Sequence, residues 1–403
     1  MPNSRRQFLS RSASAAAITF SGRLPVPLLA AVEKKKAPVV LVVIELQGGN
    51  DGLNTVVPTS SETYRRLRPN TGIAAGSTLS ISSDCGFHPQ LQGFAELLEQ
   101  GKLGIVNGVG YDNPNRSHFE SMDIWHTCQR SGDRRPEGWL GRWIESAQRP
   151  AGDLTALHLG DQQLPLALKS QQRPVPSIRS KEQFRLRAAN ADQLQQQLLI
   201  ASETAESTDD LLGFIRSSTS TALQTSQRIQ AIGRRSTTTT VWPDGNLSRK
   251  LQTVSGLIRA ELETSVYYLS LGGFDTHAQQ PDVHGRLLRQ LGDATAAFMR
   301  DLAETEHADR VMLMCFSEFG RRVAENASAG TDHGTAGPVF LIGNQVLAGL
   351  HGDLPDLNQL ENDDLKYHTD FRQVYADVLE NWFQTDSREI LSGSWLPSGA
   401  IRS

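Results

Sequence analysis

Stretches of continuous apolar residues alternate along the chain with longer segments in which apolar residues recur every three or four positions. The continuous stretches predict β-strands covered on both faces, at residues 38–46, 103–109, 154–159, 266–271, 310–316 and 339–342. The periodic segments predict helices at residues 89–100, 117–127, 247–263, 283–304 and 371–383. This alternation predicts an α/β fold with a mostly parallel central sheet and helices on both faces.

The same pattern divides the chain into a leader, a linker and one large domain. We assign residues 1–31 to the leader, residues 32–37 to the linker and residues 38–403 to the domain. Within the domain, residues 185–262 are predicted to form a helical insertion or lid. The reason is that residues 185–235 are rich in Gln, Ser, Ala and Leu at helical spacing.

The leader has the features of a twin-arginine signal peptide. Arg5 and Arg6 are followed by Phe8 and Leu9, then by a modest apolar stretch and small residues ending at Ala31. The alternative is a disordered basic tail. We expect the twin-arginine translocase as a partner during export, cleavage near Ala31 and a periplasmic or extracellular location. No later stretch approaches the roughly 18 apolar residues that span a bilayer, so the mature chain is expected to have no transmembrane segment.

Charge and cysteine content narrow the class of protein further. The 403 residues carry a net charge of −4 at pH 7 without a block of basic residues, so no nucleic-acid partner is expected. Cys85, Cys128 and Cys315 do not form a ligand-type cluster, and an odd number permits one disulfide at most in an oxidising compartment. Cys315 lies in a predicted buried strand and is expected to belong to the core.

Five short motifs of acidic, histidine and serine residues carry the candidate chemistry. Four lie in loops next to predicted strands, and one opens a predicted helix. They are QGGNDG at 47–52, NRSHF at 115–119, GGFDTH at 272–277, SEFGR at 317–321 and TDHGTA at 331–336. Because strand ends in an open α/β sheet bring their loops together, we predict that these residues converge on one site.

Five residues of these motifs are predicted to bind a divalent metal, namely Asp51, Asp275, His277, Glu318 and His333. Carboxylate and imidazole groups are standard ligands of zinc and also suit manganese or iron. Each also has a structural alternative. Asp51 would form a turn, and Glu318 would make a salt bridge with the arginines that follow it. Asp275 and His277 would be a loop carboxylate bonded to a loop histidine, and His333 would be a structural histidine in a Gly-rich turn. Asp332, next to His333, could itself bind metal or support a ligand.

Ser117 is the predicted nucleophile, and Arg116 is the predicted clamp for the anionic group of a substrate. Ser117 opens a helix, where the helix dipole favours negative charge, and a bound metal would lower its pKa. Glu120, three residues later, predicts a capping box, so a simple helix cap is the alternative role for Ser117. His118 is expected to pack or to support. A Ser-His-Asp triad is the rival arrangement, although the chain lacks a G-x-S-x-G elbow.

A set of motifs spread over nearly the whole mature chain resembles the DUF1501 family of twin-arginine-exported proteins of unknown function. The motifs are LQGGNDGLN, GFHP, NRSHFESMDIWHT, GWLGRW, GGFDTH, SEFGR and TDHGTAGP. The resemblance runs from about Val39 to Phe383. It implies membership of the alkaline phosphatase and sulfatase superfamily, and a three-layer α/β/α sandwich around two metals.

The resemblance also implies roles for individual positions. Asp51 matches the acid after the first strand, Ser117 the nucleophile and His333 a late metal ligand. Asp275 and His277 match the carboxylate and histidine of one metal. Glu318 matches the acid of an Asp-His pair. Phe319 departs from the pattern because it stands where that pair has its histidine, which implies that one metal is weakened or lost. The tight spacing of Asp275 and His277 departs as well. Ser117 lacks the context for formylglycine formation, so ordinary sulfatase chemistry is not expected.

These features predict an exported metal-dependent hydrolase of phosphate or sulfate esters with a serine nucleophile. One or two divalent ions are expected as cofactors, with zinc, manganese and calcium as candidates, and the substrate is a small-molecule or polysaccharide ester. The alternative is a non-catalytic exported binding protein on a degenerate hydrolase fold. A third option is an exported hydrolase of another type of bond.

Overall fold

The structure is a computed structural model, and it describes residues 37–130, 137–147, 149, 153–160, 163–178 and 238–403. The predicted leader, most of the predicted linker and residues 185–237 of the predicted insertion lie outside this part of the chain. The large domain extends from Ala37 to Ser403.

Strands and helices follow the predicted alternation. The strands are β1 (Val40–Gln47), β2 (Val56–Val57), β3 (Leu79–Ser80), β4 (Gly86–Phe87), β5 (Leu103–Gly110), β6 (Ala156–Leu159), β7 (Ser177–Ile178), β8 (Val266–Gly272), β9 (Val311–Phe316), β10 (Gly337–Ile342), β11 (Gly349–His351) and β12 (Thr369–Asp370). The helices are α1 (Gly52–Thr55), α2 (Glu62–Leu67), α3 (Gln92–Glu99), α4 (His118–Thr127), α5 (Trp139–Ser146), α6 (Asn246–Arg259), α7 (Gln280–Ala303), α8 (Phe371–Asp377) and α9 (Ser387–Leu391).

Nine of these strands form one central sheet. Their order is β11-β5-β10-β9-β1-β8-β6-β7, and β12 pairs with β5 beyond that path. The strand β10 is antiparallel to both of its neighbours, β5 and β9, whereas the other pairs in the sheet are parallel. The predicted mostly parallel sheet is therefore confirmed, with one strand reversed.

Each face of the sheet has its own hydrophobic core, which makes the domain a three-layer α/β/α sandwich. Alternate residues of β1 point to opposite faces, so Val42 and Ile44 lie in one core and Leu41 and Val43 in the other. The first core is covered by α3, α6 and α7, and the second by α4, α5, α8 and α9. This double cover explains why β1 is apolar along nearly its whole length.

Several local features differ from the sequence-based expectations. The strands β2, β4 and β3 form a small antiparallel sheet that the apolar pattern did not predict, because each has only two residues. Residues 246–259, inside the range predicted as an insertion or lid, form α6, whose apolar residues lie in the core against α7. The predicted helix over 371–383 is helical to Asp377 and continues as a π-helical turn, Val378–Trp382.

The cysteines and the helix lengths can be compared with the sequence-based expectations. All three cysteines are buried and free, so no disulfide forms among them, and Cys315 belongs to the core as predicted. Among the described residues, no helix combines the length and apolarity that crossing a membrane requires.

Candidate metal centre

The carboxyl ends of three adjacent parallel strands bring the predicted motifs together. Asp275 follows β8, Glu318 follows β9, and the loop after β1 lies between them, since β1 pairs with both strands. His118 is the first residue of α4. His333 is held close by an isolated antiparallel bridge to Arg321, which itself follows β9. The predicted convergence at one edge of the sheet is therefore what the chain forms.

Three imidazoles meet one carboxylate at this edge. Ligand-type atoms of His118, Asp275 and His333 all lie within 4.8 Å of one another. The Oδ1 atom of Asp275 is 3.0 Å from Nε2 of His333, 3.0 Å from Nε2 of His277 and 3.5 Å from Nε2 of His118. The Nε2 atoms of His277 and His333 are 2.9 Å apart. His277 flanks the group of His118, Asp275 and His333, and we call these four residues the candidate metal centre.

The opposite nitrogen of each imidazole is held by an oxygen. The three Nδ1 contacts are His118 to Glu318 Oε1 at 2.8 Å, His277 to Asp332 Oδ1 at 3.1 Å and His333 to the Arg116 carbonyl at 2.8 Å. A carboxylate or carbonyl oxygen can only accept a hydrogen bond, so each Nδ1 carries the hydrogen. In the neutral rings, the unprotonated Nε2 atoms therefore face Asp275.

This arrangement fits a metal ion. Lone pairs of neighbouring imidazoles and a carboxylate repel one another unless a cation or a proton lies between them. Around an ion with bonds of about 2.1 Å, adjacent ligand atoms are about 3.0 Å apart in six-coordination and about 3.4 Å apart in a tetrahedron. The observed separations of 2.9–3.5 Å match this range. Carboxylates and carbonyls that fix the second nitrogen are typical supports of metal-binding histidines.

Asp275 is kept ionised by its neighbours. Partial burial by itself raises the pKa of this carboxyl. The hydrogen bond from Arg321, at 2.7 Å, outweighs that effect together with the one that His333 donates when its ring carries a second proton, and the pKa falls to about 2. Gly48 makes this placement possible, because a Cβ there, at φ +115°, would lie 2.4 Å from the amide nitrogen of Asp275.

Glu318 holds the imidazole of His118 and does not face the centre directly. Its carboxylate is buried and accepts hydrogen bonds from the Gly48 amide at 2.9 Å and from Ser317 at 3.0 Å, in addition to the contact with His118. The hydrogen bond with Glu318 raises the pKa of His118 against the opposing effect of partial burial. The structure thus gives Glu318 an orienting role where the sequence predicted a ligand.

Asp51 is not among the groups that the structure brings to the centre. It is fully buried and forms a 2.6 Å ion pair with Arg68, while Gln280 and the Asn54 amide bond the same carboxylate. Burial raises the pKa of Asp51, but the Arg68 guanidinium and these hydrogen bonds lower it on balance. The expected ligand therefore neutralises a buried arginine and caps α1.

Ser117 and Arg116 lie at the rim of the centre. Ser117 is the exposed N-cap residue of α4, but its side chain makes no capping hydrogen bond, so the predicted capping box is wrong. The Asn115 side chain instead accepts from the Ser117 amide at 2.8 Å. Arg116 bonds the buried carboxylate of Asp364 through one Nη atom, at 2.5 Å.

Phe319 packs beside the centre. Its ring packs against the imidazoles of His118 and His333, with centroid separations of 5.0 Å and 4.7 Å. The residue that departs from the family pattern therefore forms an apolar wall that limits ring movement.

His118 is a candidate metal ligand that sequence reasoning missed, since packing or support was the expected role. It lies directly beside the predicted nucleophile in the same motif, and that adjacency could have identified it. What the sequence could not supply was the direction of its Nε2 atom, which depends on a carboxylate 200 positions away.

Comparison with known proteins identifies the family of this chain. The sequence matches the family described as "Protein of unknown function (DUF1501)" over residues 39–391. The chain belongs to the DUF1501 family. Among curated proteins, none matches the sequence significantly.

Solved structures with similar folds include three from bacteria. The C-terminal periplasmic domain of EcEptC from Escherichia coli, in complex with Zn, shares 10% identity at a TM-score of 0.36, over 77% of this chain and 74% of that one. The PsFucS1 sulfatase from Pseudoalteromonas sp. shares 9% identity at a TM-score of 0.39, over 90% of this chain and 70% of that one. The alkaline phosphatase of the Antarctic bacterium TAB5 shares 10% identity at a TM-score of 0.30, over 76% of this chain and 92% of that one. Similarities of this size carry no information about substrate.

Proposed function

We propose that this DUF1501 protein is an exported, metal-dependent hydrolase of phosphate or sulfate esters. The observation that carries the proposal is the common orientation of three imidazoles. Each is fixed through Nδ1 by an oxygen, and each directs Nε2 toward Asp275 Oδ1. A simple loop contact does not require three imidazoles with the same orientation. The arrangement suits a divalent ion with positions left open for a substrate.

A bound ion would favour an anionic substrate. A bound ion would supply Lewis-acid polarisation of a phosphoryl or sulfuryl oxygen. The only carboxylate among the four residues, Asp275, is already balanced by the buried guanidinium of Arg321. Glu318 and Asp332 add carboxylates on the Nδ1 side of two imidazoles, so it is the bound ion itself that would attract the ester oxygens of a phosphate or sulfate.

Ser117 is the proposed nucleophile. The neighbouring Arg116 carbonyl is bonded to His333, and the neighbouring His118 belongs to the centre, so the Ser117 backbone is fixed on both sides. Its exposed hydroxyl makes no capping bond and is free to approach a substrate. Arg116 is the proposed contact for the transferred group. Its side chain is 37% exposed, although one Nη atom is committed to Asp364.

Elemental analysis combined with an ester screen tests the proposal. The purified mature protein, reconstituted with zinc, manganese or calcium, is expected to bind metal and to hydrolyse a chromogenic phosphate or sulfate ester. Ser117→Ala should abolish turnover and retain metal, whereas Ser83→Ala, at an exposed position bonded to Asp84, should change neither. Absence of metal after reconstitution would contradict the proposal. Metal binding without turnover of any ester would leave a binding protein.

The export part of the proposal has its own test. Expression in a host with a working twin-arginine translocase should yield a periplasmic protein shortened at its N-terminus, as Arg5 and Arg6 indicate. Replacement of both arginines by lysine should leave the precursor in the cytoplasm. Unchanged export of that variant would refute the twin-arginine assignment.

A further inference from the structure

A solvent-exposed aromatic side chain lies close in sequence to the proposed nucleophile. Phe119 is the second residue of α4, and 85% of it is exposed. A phenylalanine that packs in a core buries about 150–250 Å², so an exposed one lacks that hydrophobic stabilisation. Single exposed apolar residues are common on protein surfaces. The position of this one is unusual, because His118 of the metal centre precedes it and Ser117 lies two residues away.

A second partly exposed aromatic residue belongs to the loop that holds Arg116. Tyr367 is 37% exposed and lies three residues after Asp364, whose carboxylate bonds Arg116. The same tyrosine lies against the end of β5, since a Cβ on Gly110 would be 2.8 Å from that of Tyr367. The two segments joined by the Arg116–Asp364 ion pair therefore each carry an exposed ring.

We infer that the organic part of the substrate presents a ring with an apolar face, and that Phe119 is the residue that contacts it. This inference rests on the proposed function, because the metal centre would hold the anionic group while Phe119 holds the leaving group. Aromatic and sugar rings both have such a face, and both stack on exposed phenyl groups. Phe119 is thus a specificity-determining residue, and it takes no part in bond cleavage.

Matched phosphonates test the inference without requiring turnover. Methylphosphonate and phenylphosphonate carry the same anionic group and differ in the ring, and the methylenephosphonate analogue of glucose 1-phosphate, whose C–P bond is not hydrolysed, supplies the sugar arm. Calorimetric titration of the metal-loaded mature protein should show that at least one ring-bearing ligand binds about 3- to 10-fold more tightly than methylphosphonate, as expected for one stacking contact. A higher affinity for phenylphosphonate indicates an aryl ester, and a higher affinity for the glucose phosphonate indicates a sugar ester.

Variants separate the ring contact from the metal centre. Phe119→Ala should remove the gain and leave methylphosphonate binding unchanged, and Phe119→Trp should keep the gain. Leu396→Ala, at a position that is 79% exposed in the C-terminal tail, is the control and should change neither. Equal binding of all three ligands to the wild type, or a gain that survives in Phe119→Ala, would overturn the inference and leave the proposed function intact. Failure of all three ligands to bind would overturn both.

Discussion

Replacement of Glu318 by glutamine is the most direct test of how the metal centre is built. Glu318 is buried, and Oε1 accepts hydrogen bonds from the Gly48 amide at 2.9 Å and from His118 at 2.8 Å. Glutamine has the same shape and keeps a carbonyl oxygen at this position. The substitution therefore removes the negative charge while the geometry is retained.

The expected effect is a 10- to 100-fold loss of metal affinity. A charge-assisted hydrogen bond is roughly twice as strong as a neutral one, and substitution of residues that orient metal-binding histidines typically costs about 10- to 100-fold. That factor corresponds to about 1.4–2.7 kcal/mol. The same substitution should lower the pKa of His118, because Glu318 is the main cause of its upward shift.

The assay compares metal binding of wild type and Glu318→Gln by competitive titration at pH 8. This pH lies well above the ordinary histidine pKa of about 6.5, which limits competition by protons. The pKa of His118 is followed by NMR in the metal-free protein. Glu325→Gln is the matched control, since Glu325 bonds Asn70 and Thr71 in an exposed loop. Unchanged affinity together with an unchanged pKa of His118, in a variant that folds normally, would refute the orienting role of Glu318.

Further predictions concern stability and the remaining ligands. Arg68→Met should lower the free energy of unfolding by about 3–5 kcal/mol, because it leaves the buried carboxylate of Asp51 without its ion-pair partner; chemical denaturation measures this, and a loss below 1 kcal/mol would contradict it. Gly48→Ala should cost about 1–3 kcal/mol and weaken metal binding, whereas Gly76→Ala, with nothing within 4 Å of the added Cβ, should be nearly neutral in the same experiment. Chelation of the metal should lower the unfolding temperature, since an ion present at about 100 times its Kd stabilises the fold by about 2.7 kcal/mol. His277→Ala should reduce that difference between metal-loaded and metal-free protein, and an undiminished difference would exclude His277 as a ligand.

The sequence by itself determined the layers of this protein and the edge where its chemistry collects. Strands such as Val40–Gln47 are apolar on both faces, and only a sheet covered on both sides accommodates them. The loops after these strands carry the acids and histidines, so their convergence follows from the parallel arrangement of the strands. Asp275 and His277 could be placed at that edge on that basis alone. His333 precedes β10, and it reaches the same edge because that strand is antiparallel to its neighbours.

Only the tertiary structure decided what each polar side chain does at that edge. Asp51 and Glu318 both follow buried strands, and sequence reasoning treated them alike. The deciding partners are remote in the sequence: Arg68 binds Asp51 across 17 positions, and His118 binds Glu318 across 200. The role of a buried carboxylate depends on which cation or hydrogen-bond donor lies beside it in the folded chain. The residues next to it in the sequence do not determine that partner.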